Sequence, residues 1–193
     1  MARTKEFDQT KALDKAMELF WQKGYEATSI QDLVEHLGIG RRSLYDTFKS
    51  KHDLFVATLD RYTELNDDPM PSPLEEVVTP KESIRQMFEQ IIDDSIEDKT
   101  RSGCFLVNSA VELAGQDDAV TVRAREACQR FEYKFHKLLS QAQGIGELDM
   151  KHDLPALAQY LTNAIFGIRV MAKMNPDRKA LNNVMNLTLS ILD

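Results

Sequence analysis

Apolar residues recur every three or four positions along most of the chain, and no stretch shows the strict alternation of a half-buried strand. The first such stretch predicts a helix over about residues 8–23, with Leu13, Met17 and Phe20 on one face. Gly24 is expected to end this helix in a left-handed conformation, which glycine adopts without steric strain.

A second helix is predicted, and Thr28 or Ser29 is expected to cap its N-terminus. Ser29 and Asp32, three residues apart, resemble a capping box in which Asp replaces the usual Glu. The apolar residues of this helix have the spacing i, i+3, i+4 and i+7, and they are Ile30, Leu33, Val34 and Leu37.

A tight turn leads from the second helix to a short third helix. Gly38 and Gly40 flank one apolar residue, Ile39, as in a turn that buries a single side chain. The third helix is predicted over about residues 41–47, with Leu44 facing inward.

The rest of the chain predicts further helices and no strand. A fourth helix covers 51–65, and the prolines and polar residues of 66–80 predict a loop, because proline lacks an N–H donor and clashes with the preceding helical turn. Five more helices are expected at about 81–97, 103–114, 119–142, 153–174 and 177–192. The sequence therefore predicts an all-α protein.

A helix, a short glycine-containing turn and a short helix form the core of a helix-turn-helix motif, whose second helix enters the major groove of DNA. Adjacent arginines suit guanine edges or phosphates, and lysines just beyond them suit the DNA backbone. Free N–H groups at the start of the second helix suit a further phosphate. The residues predicted to contact double-stranded DNA are Thr28, Ser29, Arg41, Arg42, Ser43, Tyr45, Asp46, Lys49 and Lys51.

The acidic charge of the chain implies that only a local cluster of cations can attract DNA. The chain has a formal net charge of -7 at pH 7. Its first sixty residues hold nine Lys and Arg against ten Asp and Glu, so this segment is nearly neutral rather than basic. Any attraction to DNA must therefore come from cations gathered on one face.

Two stretches, GYEATSI at 24–30 and LGIGRRSLYDTFKSKHDL at 37–54, resemble the TetR/AcrR family of bacterial transcriptional regulators, and the likeness extends over 7–62. A further stretch at 103–108 resembles the start of a core helix in one subgroup of that family. The resemblance implies that Thr28, Ser29, Tyr45 and Lys51 meet phosphates, whereas Arg41, Arg42 and Ser43 face the groove.

Three residues depart from the family pattern and leave the operator sequence open. Gly40 stands where Ser or Thr is usual, which removes one cap of the third helix. Arg42 stands where a small residue is usual and adds a long arm toward bases or phosphates. Asp46 stands where His or Tyr is common, and it could accept a hydrogen bond from a cytosine amino group or repel phosphate.

The resemblance implies a homodimeric repressor that a small hydrophobic or aromatic ligand releases from a near-palindromic operator, although the sequence does not separate a repressor from an activator. It also implies two domains. Residues 1–50 would form the helix-turn-helix domain. Residues 51–193 would form a larger helical domain for ligand binding and dimerisation, in which 51–65 is a connecting helix and 66–80 a loop.

Phenylalanine and methionine residues are frequent in 81–174, and an apolar cavity between helices is a common place for a small ligand. Ordinary core packing is the alternative for each of them. The candidate ligand-binding residues are Phe88, Phe105, Asn108, Ser109, Phe131, Phe135 and Phe166.

Each of the last two predicted helices has an apolar face that is larger than a monomer usually exposes to solvent. Two such helices from each partner would form a four-helix dimer interface, as the resemblance implies, and packing within one chain is the alternative. The residues assigned to this interface are Leu157, Leu161, Ile165, Ile168, Val184, Met185 and Leu189.

Three other functions are open to the sequence. A redox or electrophile sensor could use Cys104 or Cys128, because an arginine lies three residues before each, at 101 and 125, and could favour the thiolate. A helical adaptor could bind protein without binding DNA. An enzyme is not expected, since the sequence shows no nucleotide-binding glycine loop and no cluster of metal ligands, and we predict no cofactor, metal or catalytic residue.

The expected location is the cytoplasm, with no membrane partner. The first residues do not resemble a secretory signal, and no stretch approaches the ~18 apolar residues of a membrane helix. Two cysteines are too few for a disulfide framework and suit a reducing compartment.

Overall fold

The computed structural model describes residues 7–66 and 78–193, and within these ranges it contains nine α-helices, a final 3₁₀ turn and no β-strand. The all-α prediction is confirmed. Most of the predicted loop at 66–80 lies outside the described residues. The elements are α1 (Gln9–Lys23), α2 (Ile30–Leu37), α3 (Arg41–Phe48), α4 (Lys51–Leu65), α5 (Pro80–Glu97), α6 (Phe105–Leu113), α7 (Asp118–Gly144), α8 (Leu154–Met174), α9 (Arg178–Leu189) and the 3₁₀ turn Ser190–Leu192.

Polar side chains fix where most of these helices begin. The Asp8 carboxylate accepts from the Lys11 N–H at the start of α1, and the Ser50 hydroxyl does the same for the Asp53 N–H at α4. At α2 the cap is Ser29 rather than Thr28, with the predicted capping box present in both directions. Such a cap satisfies one of the N–H groups that a helix leaves free at its first turn.

The described residues group into two compact units. The first takes in the described part of Met1–Asp68 together with Asn108–Ala124, and the second takes in the described part of Pro69–Val107 together with Arg125–Asp193. This grouping differs from the predicted division after residue 50, because α4 packs against α1 within the first unit.

The core of the first unit is aromatic at its centre. Phe20 of α1 and Phe55 of α4 are almost completely buried, and their rings meet edge to face with centroids 5.1 Å apart. Trp21 and Tyr62 repeat this contact between the same two helices at 5.0 Å. Replacing a buried Phe with Ala costs ~3–5 kcal/mol in a typical core, so these contacts firmly hold α4 on α1.

The residues assigned to the dimer interface lie in the core of the second unit. Each already packs inside a single chain against α5, α7, α8 or α9. Six of the predicted residues are buried to between 0 and 6% exposure, namely Leu157, Leu161, Ile165, Ile168, Met185 and Leu189. Val184 is half-buried and packs against the same core. A side chain that is buried in its own chain has no surface left for a partner.

The opposite faces of α8 and α9 carry other apolar residues that are exposed. On α8 these are Tyr160, Val170 and Met174, with exposed fractions of 43, 42 and 69%, and on α9 Leu187 is 76% exposed. Gly167 lies on the same face of α8, and a Cβ atom there would meet nothing within 4 Å. Both helices therefore carry exposed apolar residues on the side away from the core, several on α8 and one on α9.

None of the described helices combines the length and the apolar character that a membrane crossing requires.

Candidate nucleic-acid interface

The turn between α2 and α3 sets the direction of the short third helix. Gly38 has a φ of 68° and ends α2 in the left-handed conformation, where an L side chain would be strained. Gly40 is extended and starts α3 without a side-chain hydrogen bond. Leu44 is fully buried and anchors α3 to the core of the first unit. One face of α3 is thus held inward, and its other residues are left on the surface.

The structure brings five of the predicted DNA contacts together on α3. Arg41 is exposed, and the side chains of Arg42 and Asp46 are 94% and 67% exposed. Tyr45 is 42% exposed, and Ser43 is half-buried. This face combines two cations, two hydroxyl groups and one carboxylate, so it can donate to and accept from base edges and phosphates.

The two predicted lysines lie beyond the end of α3 in different settings. Lys49 is exposed and has a φ of 65°, so the chain turns sharply at this residue. The Lys51 ammonium lies 4.2 Å from the centroid of the Tyr25 ring in a cation–π contact. A contact of this type is worth ~0.5–1 kcal/mol at an exposed site, which is small beside the attraction of a phosphate cluster.

The start of α2 differs in part from the prediction. Thr28 is fully buried, and its hydroxyl donates to the Gly24 carbonyl at 2.6 Å. Ser29 is exposed, but its N–H donates to the Asp32 carboxylate at 2.8 Å. The carboxylate of Asp32 thus occupies part of the site where a phosphate was predicted.

Hydrogen bonds hold the Asp32 carboxylate in its charged form. The Ser29 N–H and hydroxyl both donate to it, and the Lys23 ammonium lies 3.0 Å away. These groups lower the pKa of Asp32 to about 2, the Ser29 backbone having the largest effect. The capping box therefore stays intact at neutral pH.

A carboxylate from a distant helix, not expected from the sequence, holds the α1–α2 turn. Glu112 of α6 accepts from the backbone N–H groups of Tyr25 and Glu26, at 3.1 and 2.8 Å. Gly24 has a φ of 85°, and a Cβ atom there would approach a Glu112 carboxylate oxygen to 3.0 Å. No sequence pattern could have indicated this contact, because its partners lie more than 80 residues apart.

Two side-chain contacts join the start of α7 to α4 in the same unit. His52 Nε2 lies 2.6 Å from the Asp117 carboxylate, which also accepts from the Val120 N–H. Arg123 donates to both carboxylate oxygens of Asp60 at 2.7 Å. Such a two-point Arg–carboxylate contact is directional as well as charged. The α6–α7 corner, residues 112–123, is thus bound at the α1–α2 turn and at two points on α4.

The environment of these groups shifts two pKa values. Burial, reinforced by the charges of Glu26 and Asp117, raises the pKa of Tyr25. Partial burial alone would raise the pKa of Asp117, but the hydrogen bond from Val120 and the contact with His52 outweigh it and lower that pKa. Asp117 is therefore a stable anion opposite His52.

The predicted ligand-binding residues fall into both compact units. Asn108 is half-buried and Ser109 buried, and both lie in the first unit, where each already has an interaction partner. The five phenylalanines belong to the second unit. Phe88, Phe105 and Phe135 are buried to 0, 1 and 0% exposure.

Phe131 and Phe166 are the two half-buried members of that set. Their rings meet edge to face between α7 and α8, with centroids 5.6 Å apart. Among the predicted ligand contacts in the second unit, these two rings are the most accessible to a small molecule.

The two cysteines differ in their surroundings. Cys104 is 8% exposed. Burial raises the pKa of the half-buried Cys128, with smaller contributions from Glu132 and Cys104. A thiol sensor needs a lowered pKa and access to its reagent. The structure gives no support to this alternative.

Two family descriptions match the chain. Residues 12–58 match the description "Bacterial regulatory proteins, tetR family", and residues 80–188 match "Tetracyclin repressor-like, C-terminal domain". The first match covers most of α1 to α4, and the second covers all but the last residue of α5 to α9.

Similar proteins cover nearly the whole chain. The uncharacterized HTH-type transcriptional regulator YezE of Bacillus subtilis (strain 168) is 35% identical over 194 residues, which is 100% of both chains. The HTH-type transcriptional repressor ComR of Escherichia coli is 35% identical over 192 residues, with 98% of this chain and 90% of that protein covered.

A solved structure resembles this fold over its full length. It is a cysteine mutant of the TetR family transcriptional regulator CifR in complex with 26-bp double-strand operator DNA. It superposes with a TM-score of 0.84 at 26% sequence identity, and 100% of each chain is covered.

Proposed function

Since this chain belongs to the tetR family of bacterial regulatory proteins, which are DNA-binding transcriptional regulators, we propose that it is a repressor released from its operator by a small ligand. The observation that carries this proposal is the outward face of α3, where Arg41, Arg42, Ser43, Tyr45 and Asp46 lie together. The first sixty residues are nearly neutral overall, and this face supplies the local cluster that DNA binding requires.

The proposed contacts divide into base-reading and phosphate-binding groups. Arg41 and Arg42, in the first turn of α3, enter the major groove and donate to guanine edges. The Tyr45 hydroxyl, Lys49 and Lys51 bind phosphates on either side and fix the register of the protein on the duplex. Lys51 leaves the Tyr25 ring for a phosphate at small cost, because the contact it gives up is weak.

The proposed dimer forms through the outward faces of α8 and α9, in place of the core residues first assigned to it. The exposed residues Tyr160, Val170 and Met174 follow each other at helical spacing, with Gly167 between them. A residue without a side chain at the centre of such a face lets two helices approach closely. The two-fold dimer then presents two copies of α3 to half-sites one helical turn apart, about 34–36 Å, or a multiple of it.

The proposed ligand is small and largely apolar or aromatic, and it binds in the second unit. The Phe131–Phe166 pair supports this choice, since half-buried rings offer an aromatic surface that the core has not fully covered. Binding there need favour the DNA-released state by only ~1–3 kcal/mol to weaken operator binding noticeably.

The α6–α7 corner is the proposed route from the ligand to the DNA-binding helices. Helices α6 and α7 each contribute residues to both units, and the ties made by Glu112, Asp117 and Arg123 lie in the first. A ligand that displaces either helix therefore strains those ties and moves the α1–α2 turn and the part of α4 to which they are bound.

This function includes no catalytic reaction, and its place is the bacterial cytoplasm, where the operator DNA is. The protein acts by binding DNA, so its activity is measured as a binding equilibrium and not as a rate of substrate turnover.

The first experiment is a mobility-shift titration of the purified protein with the DNA upstream of its own gene. We expect a discrete complex that survives an excess of unrelated duplex DNA. A compound screen with aromatic and aliphatic molecules then seeks one that dissolves this complex. Binding that unrelated duplex competes away completely would contradict a sequence-specific regulator, and an effective compound must bind more weakly to the protein–DNA complex than to the free protein.

A further inference from the structure

Two opposite charges face outward from α3 one helical turn apart. The Arg42 and Asp46 side chains are 94% and 67% exposed, and Arg42 Nε lies 3.6 Å from Asp46 Oδ2. The pair has the i, i+4 spacing of neighbours on one helix face. Both residues lie on the surface that is proposed to meet DNA.

Helix stability does not account for these two charges. Exposed ion pairs contribute little to stability, and the order with the cation nearer the N-terminus is the less favourable one. The helix dipole favours acids in the first turn and bases in the last, yet α3 has no acid in its first turn and no base in its last. The charges of this short helix are thus placed against its own stability, as is typical of residues that serve a function.

The contact is made on the Nε side of the arginine. Asp46 Oδ2 lies 3.6 Å from Arg42 Nε, which is an ionic contact without a hydrogen bond. With the carboxylate on that side, the terminal nitrogens Nη1 and Nη2 can serve as two parallel donors. Guanine presents two acceptors, N7 and O6, at its major-groove edge, and a guanidinium fork matches them. The attraction of a carboxylate beside Nε favours orientations in which the fork points away from Asp46, and such a bias lowers the entropy lost on binding DNA.

We propose that Arg42 and Asp46 recognise one guanine in each half-site as a unit, an inference that rests on the proposed DNA-binding function. Arg42 donates to guanine N7 and O6 through its terminal nitrogens. Asp46 is a positioning residue that acts through Arg42 Nε. Its negative charge also disfavours any placement of Arg42 on a neighbouring phosphate, since the carboxylate would then face a second anion.

The test uses a DNA duplex selected from a random-sequence library by the wild-type dimer. Each guanine of the selected site is replaced in turn by 7-deazaguanine, which lacks the N7 acceptor, and affinity is measured by fluorescence anisotropy. The variants are Arg42→Ala, Asp46→Asn and a control, Glu35→Gln. Glu35 is an exposed acid of α2 that accepts from the Gln31 amide at 2.7 Å, so Glu35→Gln removes one negative charge from the same unit without touching Arg42.

For the wild type, we expect one guanine per half-site at which the replacement lowers affinity by about tenfold or more. Arg42→Ala should lose this sensitivity at that guanine and at no other. Asp46→Asn should bind the selected duplex about three- to tenfold more weakly and show a smaller penalty at the same guanine. Glu35→Gln should keep the full penalty.

Two results would overturn the inference while leaving the proposed function intact. Asp46→Asn could keep the full penalty at the Arg42-dependent guanine, or it could strengthen binding to all duplexes alike, as simple relief of phosphate repulsion would. A wild-type protein that enriches no sequence from the library would contradict the proposed function itself, and the inference with it.

Discussion

Gly24 is constrained in two independent ways at the end of α1. Its φ of 85° is unfavourable for an L side chain, and a Cβ atom there would lie only 3.0 Å from a Glu112 carboxylate oxygen. Because Glu112 also binds the next two N–H groups, any shift that relieves the contact breaks hydrogen bonds. The residue therefore joins local backbone geometry to a long-range contact.

Gly24→Ala should lower the free energy of unfolding by about 1–3 kcal/mol, since it adds backbone strain and a close contact. Urea unfolding followed by circular dichroism measures this change. Gly144→Ala is the matched control, because Gly144 ends α7 without a positive φ and with nothing within 4 Å of a Cβ atom. Equal stabilities of the two variants would contradict the proposed constraint.

The lowered pKa of Asp32 predicts how the free energy of unfolding changes in acid. Its pKa is lowered to about 2 in the folded protein and lies near ~3.9 in an unfolded chain. A carboxylate with a depressed pKa stabilises the fold above its unfolded pKa and loses that contribution as the pH falls toward its folded pKa. The stability difference between wild type and Asp32→Asn should thus stay constant from neutral pH to about 5 and shrink below about 4. Urea titrations at several pH values measure it, and a difference that persists unchanged at pH 2 would contradict this assignment.

At the scale of single residues, the sequence separated exposed from buried side chains only in part. The outward positions of α3 follow from helical periodicity around the buried Leu44, and they were predicted. Thr28 and Ser29 could not be told apart, because either hydroxyl suits a helix cap and only the folded chain shows which one points inward. Glu112 has no local signature at all, since its partners are brought to it by folding.

The helices of the first unit are joined by polar contacts as well as by the aromatic core. The Arg123–Asp60 pair links α7 to α4, with side chains that are 24% and 51% exposed. Partial burial and the two-point geometry make this pair stronger than an ordinary surface pair. The link places the start of α7 on the helix that follows the DNA-binding face.

A double-mutant cycle of Asp60→Ala and Arg123→Ala should give a coupling energy of about 0.5–1 kcal/mol, measured by chemical unfolding. The Asp93–Arg178 pair in the second unit, with side chains 48% and 52% exposed, serves as the comparison and should show weaker coupling. A coupling energy near zero would mean that the Asp60–Arg123 pair has no part in the proposed route from the ligand to the DNA-binding helices.

Helix boundaries were predictable wherever a local signal marked them. Asp8, Ser29 and Asp177 cap α1, α2 and α9, and each lies within a residue or two of the predicted start. The start of α6 was placed too early, at 103 instead of Phe105. The reason is local, because Arg101 and Gly103 both have positive φ values, of 52 and 68°, which interrupt a helix.

At the scale of the whole molecule, the periodicity of apolar residues in α8 and α9 does not reveal which face of each helix meets a partner. Both sides of these helices carry apolar residues, so spacing alone could not tell which side faces the core of the chain and which side faces a partner. The sequence assigned the inner residues to the dimer. The structure leaves the outer residues exposed, and only these have surface to offer a second subunit.

The dimer proposal predicts different outcomes for charges on the two sides. Leu187→Glu, on the exposed side, should give a folded monomer, whereas Leu161→Glu, at 0% exposure, should unfold the chain. Val111→Glu is the control, because Val111 of α6 is 84% exposed and lies outside the proposed interface. Analytical ultracentrifugation with circular dichroism separates these outcomes. A wild-type monomer, or a Leu187→Glu dimer, would contradict the proposed interface.

The central claim is that the outward face of α3 binds operator DNA, and affinity for a labelled duplex from upstream of the gene tests it most directly. Arg41→Ala and Arg42→Ala are compared with Arg125→Ala, which removes the same exposed charge from the second unit. We expect a loss of about 1–3 kcal/mol for each α3 variant, an unchanged affinity for Arg125→Ala, and little change for any of them on a scrambled duplex. If both α3 variants bind the duplex as tightly as the wild type, the assignment of this face to DNA is wrong.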